Sequence, residues 1–319
     1  MSLSILIVNW NSLAYLRGCV KSIVRECSEL CPQIVVVDGG SFDGSGVMLK
    51  QEFPEVMFVQ AQSNLGFGAS NNLGLAECTG DTILLLNPDT EICQSAVQGL
   101  MKALESSFDV VIVAPKLLNT DGSLQESCVQ AFPTPLNQFL DSSLLRRIFP
   151  KASIWGTRAL FTDTPSEVEA VSGACMLVRA DILRDLRGFN TKFFMYGEDM
   201  DLCARIRARG MRVVHVPTAK VIHHGGGSSG GNFSRISALM LRQSIYIFIS
   251  EHQGHLAARL YRGLIGISAL LRLTFLNLAR TLRLFTATAH SKASVMKWST
   301  ILRWSLHLEV PILGSPKTR

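Results

Sequence analysis

Little at the start of the 319-residue sequence reads as a secretory signal: Ser2-Leu3-Ser4-Ile5-Leu6-Ile7-Val8 has no basic region before it and no cleavage site after it, and none is expected there. Cytosolic residence is the expectation. It lacks paired cysteines at zinc-ligand spacing; Cys27 and Cys31 stand four apart with no second pair, so all eight cysteines read as reduced thiols. It lacks the three-glycine fingerprint after its first apolar run, which weakens a simple dinucleotide-binding reading. Acids nearly vanish after Gly231 while arginines and lysines recur among leucines, so the net charge of +6 is concentrated at one end. That asymmetry points to an anionic surface. No recognised motif accompanies it, so nucleic acid is not expected as a partner.

What is present begins with Ile83-Leu84-Leu85-Leu86, which ends in Asn87-Pro88-Asp89. Four bulky apolar residues without alternation predict a strand buried on both faces, and Pro88 cannot continue its ladder. An acid at the carboxyl end of a central parallel strand sits where open α/β sheets bind ligands, and its oxygens suit Mg²⁺ or Mn²⁺. A plain Asn-Pro-Asp turn explains the same residues. Leu3 to Val8 is a further predicted strand. Asn9-Trp10-Asn11-Ser12 follows it, with Ser12 read as the cap of a helix carrying Leu13, Leu16, Val20 and Ile23. Ile34 to Val37 predicts another buried strand, ending in Asp38 and a glycine-rich turn.

The cluster Asn64-Leu65-Gly66-Phe67-Gly68-Ala69-Ser70-Asn71-Asn72 has two readings. Gly66 and Gly68 could let backbone amides approach a phosphate while Asn71 bonds a sugar or base, or the cluster could simply cap a helix over 69–76. Ser95 to Leu104 reads as helical and Val110 to Ala114 as a strand. Residues 115–168 read as irregular, and 171–178 as small residues leading into a strand, with Gly173 allowing a close approach. Glu198, Asp199 and Asp201 open a helix closed by Gly210, directly after Phe193, Phe194 and Tyr196. The helix dipole lowers a carboxyl pKa there, whereas apolar surroundings raise it toward what a general base needs. Short strands over 213–216 and 221–222 lead to His223-His224-Gly225-Gly226-Gly227, where a histidine could ligate metal or touch a diphosphate.

From Arg259 onward Arg262, Arg272, Arg280 and Arg283 fall on one helical side and large apolar residues on the other. The longest charge-free run there, Gly263 to Leu271, predicts a helix lying on an anionic membrane surface and not spanning it, with Lys292, Lys297 and Arg303 adding attraction. Packing of the same helix on protein is the alternative.

Transfer of a sugar from a nucleotide diphosphate needs a cation for the leaving group and one base for the acceptor hydroxyl. Glycoside hydrolysis would want two carboxyls flanking the bond. Taken together, Ile5 to Asn11, Val37 to Ser45, Asn64 to Gly68 with Asn71-Asn72, Asn87-Pro88-Asp89, Val171 to Ala174, and Phe193 to Arg205 resemble the family 2 glycosyltransferases, most of all a bacterial rhamnosyltransferase branch. The resemblance spans residues 3–229. It implies an α/β GT-A fold over 1–230, followed by a helical, basic, membrane-associating region over 231–319. It also implies a nucleotide-diphosphate-sugar donor, a glycan or lipid-linked glycan acceptor, a divalent metal and inversion of configuration. By position it puts Asp38 on the donor's base, Asp89 on the metal and Asp199 as base, with Glu198 beside it. Gly39 stands where the family usually has Asn, and Asn87 takes the first acid position of the usual Asp-x-Asp. A nucleotidyltransferase and a non-catalytic nucleotide-sugar-binding scaffold are the rival readings.

Overall fold

The computed structural model describes residues 1–225, 235–281 and 289–309. The chain opens with strand β1 (Leu3–Asn9), helix α1 (Leu13–Cys27), β2 (Gln33–Asp38), α2 (Ser45–Glu52), β3 (Met57–Gln60), α3 (Phe67–Leu75) and β4 (Thr82–Leu86). There follow β5 (Thr90–Ile92), α4 (Ala96–Glu105), β6 (Val110–Leu118), β7 (Val129–Gln130), α5 (Pro135–Leu140), α6 (Ser143–Ile148), β8 (Ser166–Glu167) and β9 (Ala170–Val171). The rest comprises β10 (Cys175–Arg179), α7 (Ala180–Asp185), α8 (Glu198–Arg207), β11 (Arg212–His223), α9 (Arg235–Gln253), α10 (His255–Thr281) and α11 (Ala289–Ser305).

Nine strands make one mixed sheet in the order β3-β2-β1-β4-β10-β6-β11-β5, with β8 paired to β11. The predicted central strand is where the pattern put it, with all of β4 buried. It lies between β1, which runs parallel, and β10, which runs antiparallel. Helices cover the sheet, and one apolar core runs from Leu3 through α9 and α10 to Trp304. The boundary expected near residue 230 falls outside the described residues.

Several local expectations are corrected. Ser12 occupies the cap position of α1, but its hydroxyl donates to Trp10 O and caps no helix amide; Leu13 N donates to Asp43 Oδ2 at 2.8 Å, so an acid thirty residues away does the capping. The two short strands near 213–222 are one strand, β11, whose register shifts between Val216 and Lys220, where Pro217 cannot donate to the ladder. Residues 115–168 contain α5, α6 and short strands as well as loops.

The carboxyl-terminal helix is turned the other way from the basic-face expectation. Arg262 lies over the rings of Tyr246 and Trp304, at 4.4 and 4.6 Å from their centroids, and Arg272 lies 4.2 Å from that of Trp298. These arginines pack inward because a guanidinium gains from an aromatic face while its stem stays apolar. Leucines are left outside instead, with Leu256 81% and Phe275 62% exposed. By length and composition His255–Ala279 can cross a membrane, contrary to the estimate from its charge-free run alone. Residue 283 lies outside the described residues, as do the side chains of Arg280 and Lys292.

The glycine of α3 at position 74 sets how closely that helix sits on the sheet. An added Cβ would come within 2.3 Å of a Leu6 methyl and 2.7 Å of a Val37 methyl, both fully buried. Gly74→Ala is therefore expected to lower unfolding stability by about 1–3 kcal/mol in urea titration, despite alanine's better helix propensity. An unchanged midpoint would contradict this packing.

Candidate active site

Strands β2, β1 and β4 are parallel and end on one edge of the sheet, where Asn9 pairs with Asp38 and Ile7 with Leu86. Because β10 runs the opposite way, with Cys175 facing Leu86, Gly173 arrives at the same edge. The Gly173 N–H donates to Asp199 Oδ2 at 2.9 Å. Three segments distant in sequence thus bring Asp38, Asp89 and Asp199 to one side of the sheet.

Asp38 is buried, and its Oδ1 accepts from Gly40 N at 3.0 Å and Ser41 N at 2.7 Å. Its Oδ2 accepts from Asn9 Nδ2 at 2.8 Å. Asn11, at φ 48°, donates its N–H to Ser41 Oγ and accepts from Phe42 N. Asp38, Asn9 and Asn11 therefore fix the shape of the 39–45 loop. Among the described residues nothing pairs with the buried Asn9 Oδ1, an acceptor facing the strand ends.

At the end of β4, Asp89 Oδ1 lies 3.3 Å from His223 Nε2, and Asn87 Nδ2 lies 3.5 Å from the same nitrogen. Gln125 donates through Nε2 to Asn119 Oδ1 at 3.1 Å, so its Oε1 takes the His223 Nδ1 proton at 2.7 Å. Nε2 is thus the ring nitrogen turned toward the Asp89 carboxylate. The carboxylate and this nitrogen are ligand types that would hold a divalent cation, with remaining positions left for phosphate oxygens. Among the described residues no group of three or more candidate ligands forms a complete protein cage. Of the two histidines singled out in the sequence, His224 is spent elsewhere: its Nε2 lies 3.0 Å from Glu91 and its Nδ1 2.9 Å from Thr120. The reading of His224 as substrate-binding is revised in favour of His223. Residues 226–227 of the expected flap lie outside the described residues.

The glycine and asparagine cluster is also revised. Gly66 sits at φ +84°, and a Cβ there would stand 2.3 Å from the Phe194 carbonyl oxygen, which accepts from Phe67 N. Gly68 packs on Phe189, and Asn71 donates to Phe67 O in its own helix. Asn72, the other asparagine of the cluster, both donates to and accepts from the backbone of Phe189. The cluster is a seam binding the first half of the chain to the turn before α8. The aromatic residues before the acids belong to the same seam, with Phe193 buried.

That turn is strained, with Tyr196 at φ 70° and Gly197 at φ 87° before Glu198. Asp199 Oδ1 accepts from Met200 N at 2.8 Å. Burial raises the Asp199 carboxyl, and the Gly173 and Met200 N–H groups oppose that rise. In Glu198, Oε2 is buried with no partner among the described residues, while backbone hydrogen bonds at Glu198 and Tyr196 support its charge only in part. Burial first, then the neighbouring Asp199 charge, pushes Glu198 up to about 8. Of the two neighbouring carboxyls, Asp199 is the one that accepts from both Gly173 N and Met200 N, so its charge is the better supported. Asp201 serves structure: it bonds Arg205 at 2.7 Å and His252 at 2.9 Å, tying α8 to α9.

Residues 4–187 match the family described as Glycosyl transferase family 2, well over half of the chain. The chain belongs to that family. Residues 147–313 of this glycosyltransferase also match the description Glycosyl transferase family group 2. The enzyme is 29% identical over 253 residues to an N-acetylglucosaminyl-diphospho-decaprenol L-rhamnosyltransferase of Mycobacterium tuberculosis, covering 74% of this chain and 81% of the relative. It is 31% identical to the rhamnosyltransferase WbbL of Escherichia coli, over 53% of this chain and 65% of that one. Among solved structures, the mannosyltransferase PcManGT of Pyrobaculum calidifontis, in complex with GDP-Man and Mn²⁺, aligns with a TM-score of 0.55 at 16% identity. That match covers 96% of this chain and 86% of the other, and it shows the GT-A fold. The enzyme stands in the rhamnosyltransferase-like branch of the family.

The neutral state of Glu198 has a thermodynamic signature. The folded chain keeps this proton up to about pH 8, whereas an unfolded glutamate releases it near 4.5. The native state therefore binds more protons between those values and loses stability as pH rises through them. Glu198→Gln removes that loss, so its melting temperature relative to the parent should rise between pH 5 and pH 9. A difference that does not change with pH would place an ionised Glu198 in the fold.

Proposed function

We propose that this glycosyltransferase moves rhamnose from dTDP-rhamnose to a hydroxyl of a lipid-linked or cell-surface glycan, in one displacement that inverts the anomeric carbon. The observation that carries this reading is the hydrogen bond from Gly173 N–H to Asp199 Oδ2, which supports charge on that carboxylate beside a Glu198 that burial pushes up to about 8. Asp199 takes the proton of the acceptor hydroxyl as that oxygen attacks. The bond from the anomeric carbon to the diphosphate oxygen breaks on the opposite face, and the nucleoside diphosphate leaves. A single base suffices because the leaving group departs as an anion that needs no protonation.

Asp89 and His223 would hold a divalent cation, Mg²⁺ or Mn²⁺, which supplies neutralising charge to the diphosphate when bound. Asn87 stays beside His223 and helps orient it, and Asn9 offers its free oxygen to the donor. The choice of rhamnose follows the mycobacterial and Escherichia coli relatives, whose names state rhamnosyl transfer. A lipid-linked acceptor follows the diphospho-decaprenol in the first of those names. Such an acceptor would be met at the cytoplasmic face of a membrane, against which the exposed leucines of α10 would lie.

Asp199→Asn should lower turnover by about 10²–10⁴-fold while leaving dTDP-rhamnose affinity nearly intact, as read by product formation and by donor titration with Mn²⁺. Undiminished turnover would move the base to another group, Glu198 first.

A further inference from the structure

We propose that the cavity between the 126–155 segment and α9 holds one uncharged sugar ring of the acceptor, with Glu126, Ser127 and Gln130 bonding its hydroxyls. This deepens the transferase reading and rests on it for the sugar being the acceptor's. The cavity has a volume of about 330 Å³, at the small end of ligand sites, which suits a single ring.

One short segment sets the cavity's place in the fold. Gln125 bonds His223 at 2.7 Å, beside Asp89, and the next two residues line the cavity. Cys128 O accepts from Ser172 N at 3.1 Å, one residue before the Gly173 amide that bonds Asp199. Val129 lines the cavity and pairs with Val171 in β9. Met200, which donates its N–H to Asp199 Oδ1, lines it too. The 125–130 segment therefore runs from the cation ligands to the base, and a ring seated against it borders both.

The lining selects the ligand's chemistry. Glu126 and Asp141 stand against Arg146 and Arg242, so the formal charges cancel. Arg146 pairs with Asp141 at 2.6 Å, and Arg242 reaches Gln138 Oε1 at 3.4 Å. A charged ligand would shed water here without a free counter-charge, whereas an uncharged one pays no such cost. Among the described residues the side chains of Glu126, Ser127 and Gln130 hydrogen-bond to no protein group, and Gln130 is half-buried. A carboxylate, a hydroxyl and an amide together supply both acceptors and donors, the mixture that sugar hydroxyls need. Pro133, Trp155 and Ile245 add apolar surface for the C–H faces of a ring. A lipid chain would strand all three polar groups, and a phosphate would face Glu126 with like charge.

The test is ligand-observed NMR titration of the full-length protein, in saturating dTDP and Mg²⁺ so that the donor site is filled. The probes are the methyl β-glycosides of glucose, N-acetylglucosamine, galactose and mannose, with methyl phosphate as the anionic comparison. At least one glycoside should bind about tenfold or more tightly than methyl phosphate. Gln130→Leu and Glu126→Ala should each weaken that glycoside by about tenfold, while Glu126→Gln, which keeps an acceptor oxygen, should recover most of the loss. Ser127→Trp, at an exposed position where bulk is tolerated by the fold, should fill the cavity and abolish glycoside binding. All four variants should bind dTDP as the parent does. Absence of glycoside binding, methyl phosphate binding as tightly as the best glycoside, or affinities that ignore these substitutions would each overturn the proposal. Titration with dTDP alone reports separately on the nucleotide site, so failure of the transferase reading is distinguishable from failure of this one.

Discussion

The structure depends on one hydrogen bond across the sheet edge, from the Gly173 amide to the Asp199 carboxylate. The burial that drives the neighbouring Glu198 to about 8 also raises Asp199, and backbone donors oppose that rise. The amide provides one, and it reaches that position because β10 runs antiparallel to β4 and starts where β4 ends. Glycine is needed because a Cβ at 173 would crowd the Asp199 Cβ at 3.3 Å and the Phe67 ring at 3.4 Å. Sheet direction, a missing side chain and the donor to the Asp199 carboxylate are one connected fact.

The turn bearing the acids is held from two sides. The first half of the chain grips it through the Gly66–Phe194 approach and the paired bonds of Asn72 with Phe189. From the other side α9 grips it, with Ser244 Oγ donating to Met195 O at 2.9 Å and His252 bonding Asp201. Such bracing lets the backbone keep the left-handed Tyr196 without relaxing. It also means the basic helical region is part of the catalytic scaffold, since its residues Phe248 and Ile249 sit in the common core.

The parts legible in the sequence were those encoded by local pattern. The unbroken run Ile83–Leu86 declared a buried central strand, Asn87-Pro88-Asp89 declared its end, and the acids of 198–201 declared the start of a helix. Which side chain meets which was not legible. His223 and His224 are adjacent and chemically identical, and only a Gln125 contributed from elsewhere orients one of them toward Asp89. Gly66 looked like a phosphate-cradling glycine because a close backbone approach leaves the same mark in sequence whatever makes that approach. Helical periodicity separated arginines from leucines correctly, yet the tryptophans of α11 reversed which side faces inward.

The single-base geometry makes a stereochemical statement. Proton NMR of the first product formed from dTDP-rhamnose, recorded before any equilibration, reads the configuration at the anomeric carbon directly. With Asp199 as the single base, as proposed, the product takes the configuration opposite to that of the donor. A product with the donor's configuration would require a second displacement and would contradict the account.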